Sequence, residues 1–152
     1  MAILPTRRHS LAALLGTVAL MSPRRSAPAA EPIDQPDPAT PDAFAARAFE
    51  MRRRAAGDGD QPYGAVVVRD GVIIGEAPSR VIVNEDPSAH AEMEAIRDAA
   101  RRLATRDLSG AVLYSSSRPC PMCEGAASYA GIARMVHGHE LSDAGAPRLV
   151  RC

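Results

Sequence analysis

Gly64-Ala65-Val66-Val67-Val68-Arg69-Asp70-Gly71-Val72-Ile73-Ile74-Gly75-Glu76 consists of two apolar runs separated by Asp-Gly. Asp-Gly tolerates positive φ at both central positions of a type I′ turn, whose twist matches that of paired strands, so this is the strongest short-range hairpin signal a sequence carries. Both runs are apolar nearly throughout instead of alternating, the pattern of strands buried on two faces. Helices are therefore expected on both sides of the sheet.

Upstream of the hairpin, Thr40 can cap a helix that opens on Pro41, with Phe44, Ala48, Met51 and Ala55 along one face and Gly57 placed to end it. Downstream, Asp86-Pro87-Ser88 is expected to start a second helix, with Met93, Ile96, Ala100 and Leu103 on its apolar side and Arg97 to Arg106 on its polar side. Ala111 to Ser115 reads as a third strand, Pro121 pre-sets a further helical turn, Gly131 closes that helix, and Arg134 to His139 reads as a fourth strand. His137 and His139 alternate there and are expected to share a face as ordinary strand residues. Leu141 to Cys152, with Gly145 and Pro147, leaves room for a short fifth strand at best. The order helix, hairpin, helix, strand, helix, strand predicts an α/β fold, a three-layer α/β/α sandwich with a mixed sheet.

The 152 residues hold one domain with a terminal appendage. Arg7 and Arg8 precede an apolar run from Leu11 to Met21, and Ala27-Pro28-Ala29 offers the small-x-small pattern of a signal-peptidase site. That run of about eleven residues is roughly half of what a helix needs to cross a bilayer, so residues 1–30 read as a removable signal and not as an anchor of the mature form. Thr6-Arg7-Arg8-His9-Ser10-Leu11 resembles the twin-arginine export signal, although Ser10 stands where that signal carries a large apolar residue. The expectation is a periplasmic or secreted protein; a Sec-type signal, or an N-terminal arm on a cytoplasmic protein, is the alternative. Residues 31–40, with Pro32, Pro36 and Pro38, read as an extended Pro-rich linker without a core contribution. The functional domain is then 41–152.

The formal net charge is zero, yet residues beyond 29 hold 14 arginines against 18 acidic side chains and no lysine, a net −4. A slightly acidic body is a poor partner for phosphate backbones and suits a small molecule better than nucleic acid. Met51-Arg52-Arg53-Arg54, the one basic cluster, reads as a solvated helix end whose charge complements the dipole. Three cysteines do not describe a disulfide framework, and Cys152 reads as an incidental thiol or an intermolecular bridge.

Chemistry concentrates in two clusters, His90-Ala91-Glu92 and Pro119-Cys120-Pro121-Met122-Cys123. Cys120 and Cys123 are expected at the cap and third position of a helix, where amide groups and the dipole favour thiolates, and His90 in the first turn of the helix before it. Three protein ligands leave the fourth tetrahedral position for water, the mark of a catalytic zinc site, and zinc lowers the pKa of such a water from about 15.7 to near 7. Glu92, two residues after His90, is placed to shuttle protons without being a ligand. A strand followed by Cys-Pro-x-Cys and a helix is also the arrangement of thiol redox proteins, which leaves that alternative open.

On these residues the chain resembles the cytidine deaminase-like superfamily, in the branch of guanine deaminases and bacterial tRNA adenosine deaminases. The likeness runs from about Pro62 to Gly138 and includes Pro62-Tyr63-Gly64-Ala65-Val66-Val67-Val68, Asp86-Pro87-Ser88-Ala89-His90-Ala91-Glu92, Leu113-Tyr114, Pro119-Cys120-Pro121-Met122-Cys123 and Gly125-Ala126. The resemblance implies Zn2+ on His90, Cys120 and Cys123, Glu92 as general acid/base, substrate contacts at Ser79, Ala91 and Tyr129, and a homodimer. Ser79 stands where that branch has an Asn that reads the base edge, Arg118 where it has an acidic residue, and Gly131 where it often has Arg. Arg118 either clamps an acidic substrate or turns outward. Tyr129 aligns with a position that stacks near the base, and the C-terminal helix that often completes the pocket is not expected after Leu141. The expected function is a zinc-dependent hydrolytic deaminase of a free nucleobase, nucleoside or related small amino-heterocycle, releasing ammonia. Alternatives are a tRNA-specific adenosine deaminase, a thiol redox protein and an inactive zinc-binding domain.

Overall fold

A computed structural model describes residues 31–149. Residues 1–30, where an export signal is expected, and residues 150–152, with Cys152, lie outside the described residues. The elements run α1 (Pro41–Gly57), β1 (Gly64–Arg69), β2 (Val72–Pro78), α2 (Ala91–Arg102), β3 (Val112–Ser115), α3 (Pro121–Tyr129), β4 (Arg134–His137) and β5 (Ser142–Gly145). The strands form one sheet in the order β2-β1-β3-β4-β5, antiparallel except for the parallel pair β3/β4, so the sheet is mixed as expected.

Alternation along β1 builds two cores. Val66 and Val68 meet Phe44 and Ala48 of α1 on one face, while Ala65 and Val67 meet Ala91, Ala95 and Ala99 of α2 and Ala127 of α3 on the other. These are the three layers predicted by the two-sided apolar pattern. Asp70 (φ 52°) and Gly71 (φ 77°) make the hairpin turn in the left-handed region, and the Thr40 hydroxyl accepts from the Ala43 N–H at 3.3 Å to start α1. At the sheet edge, β2 alternates in burial where β1 does not.

Three expectations are corrected. First, α2 begins at Ala91, with His90 as its cap and not in its first turn. Asp86-Pro87-Ser88 instead forms an Asx turn, in which the Ser88 N–H and hydroxyl both donate to Asp86 Oδ1 at 2.7 Å. Its buried stripe is Ala91, Glu92, Ala95 and Ala99, whereas Met93, Ile96, Ala100 and Leu103 are only half-buried. The cause is close approach: a Cβ on Gly75 would fall 2.5 Å from the Ala99 nitrogen and 2.6 Å from the Ala95 oxygen, so α2 rests on β2 through its smallest side chains.

Second, β4 ends at His137, and His139 lies in the following turn, its ring stacked on Phe49 of α1 with centroids 3.5 Å apart. Third, the linker is extended but docks on the domain. Ile33 packs against the α1-side core, and the Gln35 carboxamide pairs with the edge strand, donating to the Ile73 carbonyl at 2.9 Å and accepting from the Ile73 N–H at 2.8 Å. A side-chain amide thus occupies ladder positions that β2 would otherwise leave open. No helix among the described residues is long and apolar enough to cross a membrane.

Candidate active site

Both helices on the α2/α3 face start at the same end of the sheet, where β1 begins and β3 ends. That end is tied by the Ser116 N–H donating to the Gly64 carbonyl at 2.9 Å and the Gly64 N–H donating to Ser116 Oγ at 3.1 Å. The two N-caps are His90 and Cys120, both extended and neither capping its helix through the side chain. Ser, Thr, Asp or Asn would serve a helix start better. These side chains converge on each other instead.

His90 Nδ1 lies 3.7 Å from both Cys120 Sγ and Cys123 Sγ, and the two sulfurs are 3.6 Å apart. Tetrahedral zinc with Zn–S near 2.3 Å and Zn–N near 2.0–2.1 Å calls for edges of about 3.8 Å between sulfurs and about 3.6 Å between nitrogen and sulfur. The triangle matches that geometry, and among the described residues these are the three donors grouped closely enough to hold a metal ion. Burial first, then the Glu92 and Cys120 charges, pushes the Cys123 thiol up, so the thiolate needs a cation between the donors to persist there. A histidine nitrogen equidistant from both sulfurs fits a metal centre better than a thiol redox pair.

Glu92, in the first turn of α2, is 5% exposed, and its Oε2 sits 3.6 Å from Cys123 Sγ. Burial holds this carboxyl above its ordinary value, against the opposing pull of its own backbone N–H, Cys123 and His90. The floor of a cleft of about 480 Å³ is formed by His90, Glu92 and Cys120, and its walls by Gln61, Tyr63, Ser117 and Arg118. That volume falls in the range of small-molecule sites.

A profile of the cytidine and deoxycytidylate deaminase zinc-binding region matches residues 39–139. The chain belongs to that family. Its zinc site is therefore His90, Cys120 and Cys123, as both clusters and the donor triangle require. Among curated relatives, the guanine deaminase of Bacillus subtilis is 45% identical over 83 residues, covering 55% of this chain and 53% of the relative. The tRNA-specific adenosine deaminase of Aquifex aeolicus is 46% identical over 76 residues, covering 50% of each. The chain thus spans about half the length of these relatives. The X-ray structure of the Bacillus subtilis guanine deaminase superposes with a TM-score of 0.63 at 38% identity, over 65% of this chain and 64% of that one.

Not every residue expected to face a substrate lines the cleft of this deaminase-family domain. Ser79 is 0% exposed and its hydroxyl donates to Asp60 Oδ1 at 2.8 Å, so it braces a loop and reads nothing. Tyr129 is 82% exposed at the end of α3; the inward side of that helix is set by Cys123 and Ala127, and a residue two further on turns away. The Ala91 side chain is packed in the core, leaving its backbone as the part that can meet a ligand. Arg118 is exposed on the cleft wall and has no ion-pair partner among the described residues.

Two residues escaped sequence reasoning. Asp60 is 6% exposed and accepts four hydrogen bonds, from the Gln61 N–H (2.7 Å), Ser79 Oγ (2.8 Å), and the Ile82 and Val83 N–H groups (2.9 Å each). Burial alone would raise this carboxyl; the bonds from Val83, Ser79, Gln61 and Ile82 outweigh it and hold the group below its usual range. Gln61 enters the cleft beside it. Gly57-Asp58-Gly59-Asp60 reads only as a polar turn, because the other partners of Asp60 lie some twenty residues downstream and no local pattern announces them.

Proposed function

We propose that this chain is a zinc-dependent hydrolytic deaminase that exchanges an exocyclic amine of a small nucleobase, nucleoside or related heterocycle for oxygen and releases ammonia. The observation that carries the reading is Glu92, buried against the donor triangle, facing the cleft and outside the ligand set. Bound by His90, Cys120 and Cys123, zinc supplies Lewis-acid activation of water near neutral pH. Glu92 takes one proton from the attacking water and delivers it to a ring nitrogen, then takes the remaining proton from the added hydroxyl and passes it to the departing amine, which leaves as ammonia. Water and substrate amine are consumed; the oxygenated ring and ammonia leave. His90 and the two cysteines are held rigidly at the helix starts, so the reacting carbon is presented to a fixed point.

A free base or nucleoside is favoured over tRNA by the acidic, lysine-free body and by the likeness to a guanine deaminase. The second reading, a tRNA adenosine deaminase, is favoured by equally similar relatives of that name and by the unpaired Arg118 at the cleft mouth. Export through the twin-arginine-like start belongs to the first reading, since a Cys pair that folds around zinc before export is protected from oxidation outside.

Ammonia release from guanine, adenine, cytosine and their nucleosides, alongside inosine formation in tRNA, separates the two readings, with Glu92→Ala as the control. Turnover on none of these substrates sinks the deaminase assignment. Finding the full-length chain in the cytosol alone after fractionation sinks the export proposal.

A further inference from the structure

We propose that Gln61 selects the heterocycle, its carboxamide reading the edge of the ring that enters the cleft; this rests on the deaminase reading above. Gln61 is half-buried in the cleft wall, on the same cavity as His90 and Glu92. Its backbone is held on both sides, the N–H donating to Asp60 Oδ1 at 2.7 Å and the carbonyl accepting from the Tyr63 N–H at 2.7 Å. Its carboxamide, in contrast, has no hydrogen-bond partner among the described residues. A carboxamide on a fixed backbone at the cleft, open to solvent and with two donor hydrogens and an acceptor unspent, is free to pair with a polar ligand that enters.

Arg118 and Ser79 serve this purpose less well. Arg118 is exposed and carries only donors, so it cannot accept from a ring N–H or amine. Ser79 is spent on Asp60, which also receives Gln61, Ile82 and Val83. One buried carboxylate thus withdraws the hydroxyl of the loop before α2 and fixes the residue before β1 whose amide remains free. An amide presents a donor and an acceptor side by side, the complement of a lactam or amidine edge, as when Asn or Gln reads adenine in a duplex.

The test uses the zinc-loaded full-length protein and its Gln61→Ala and Gln61→Glu variants. Ammonia release and calorimetric binding are measured with guanine, adenine, cytosine and their nucleosides. Gln61→Ala is expected to lower kcat/KM on the preferred substrate by roughly tenfold or more, the scale of one lost hydrogen bond, with zinc content and Tm unchanged. Gln61→Glu accepts but does not donate, so it is expected to shift the preference away from carbonyl-bearing rings and toward amine-bearing ones by a similar factor. Preference ratios within about twofold of wild type in both variants overturn the proposal while leaving deamination intact. Binding without turnover is judged by the same ratios of Kd. A wild type that neither binds nor converts any of these heterocycles overturns the deaminase reading and this one together.

Discussion

Glu92 and Asp60 are two buried carboxylates with opposite physical characters. Glu92 is held above its ordinary value by burial, which suits a group that must take up and return a proton, and Asp60 is held below by four hydrogen bonds, which suits a permanent anion. Glu92→Gln keeps the shape and removes the shuttle, so kcat is expected to fall by roughly 10²–10⁴ with zinc content unchanged, measured by ammonia release and metal analysis. Asp60→Asn leaves buried donors poorly paired and is expected to cost about 1–3 kcal/mol at pH 7. Because the folded-state pKa of Asp60 lies below its unfolded value of about 3.9, its stabilisation is complete above that value and disappears as pH falls through the folded one. Urea unfolding of wild type and Asp60→Asn should therefore converge on acidification. A gap of constant size from pH 7 to pH 3 would rule this account out.

At the scale of elements, the position of His90 depends on how closely α2 sits against β2. Gly75 and the Ala91, Ala95, Ala99 stripe permit that contact, whereas the larger residues of the sequence pattern, Met93, Ile96 and Leu103, are only half-buried, with Ile96 and Leu103 packed at the margin of the core. Periodicity identifies an amphipathic helix but weights a face by side-chain size, while a helix pressed onto a sheet buries its smallest residues most completely. Gly75→Ala is expected to destabilise the fold by about 1–3 kcal/mol through overpacking and to weaken zinc binding by moving the start of α2, read from Tm and a competitive zinc titration. The opposite edge offers a second test. Gln35 occupies the ladder positions at Ile73, so Gln35→Ala should leave activity intact and lower Tm modestly, reflecting about 0.5–1.5 kcal/mol of lost hydrogen bonding.

In the molecule as a whole, the zinc site joins the starts of two helices on one face of the sheet, so metal binding and folding are coupled. Chelation is expected to lower Tm, corresponding to about 3 kcal/mol when free zinc had stood a hundredfold above its Kd, with recovery on adding zinc back. Much of this architecture was legible beforehand. The Asp70-Gly71 turn, the two-sided apolar run of β1, the Thr40-Pro41 start and the spacing of His90, Cys120 and Cys123 are signals written in neighbouring residues, and each appears in the structure where it was expected, whereas β2 alternates in burial at the sheet edge. Local chemistry therefore determined the layers, the mixed sheet and the ligand set, because turn geometry, caps and donor types act over a few residues. Only tertiary structure decided which side chains face the cleft. It drew Ser79 onto Asp60, turned Tyr129 to solvent, docked the linker through Gln35 and set Gln61 on the same cleft as Glu92. Those outcomes follow from competition among partners distant in sequence for the same buried space and the same hydrogen bonds, and no short stretch of chain encodes the result of that competition.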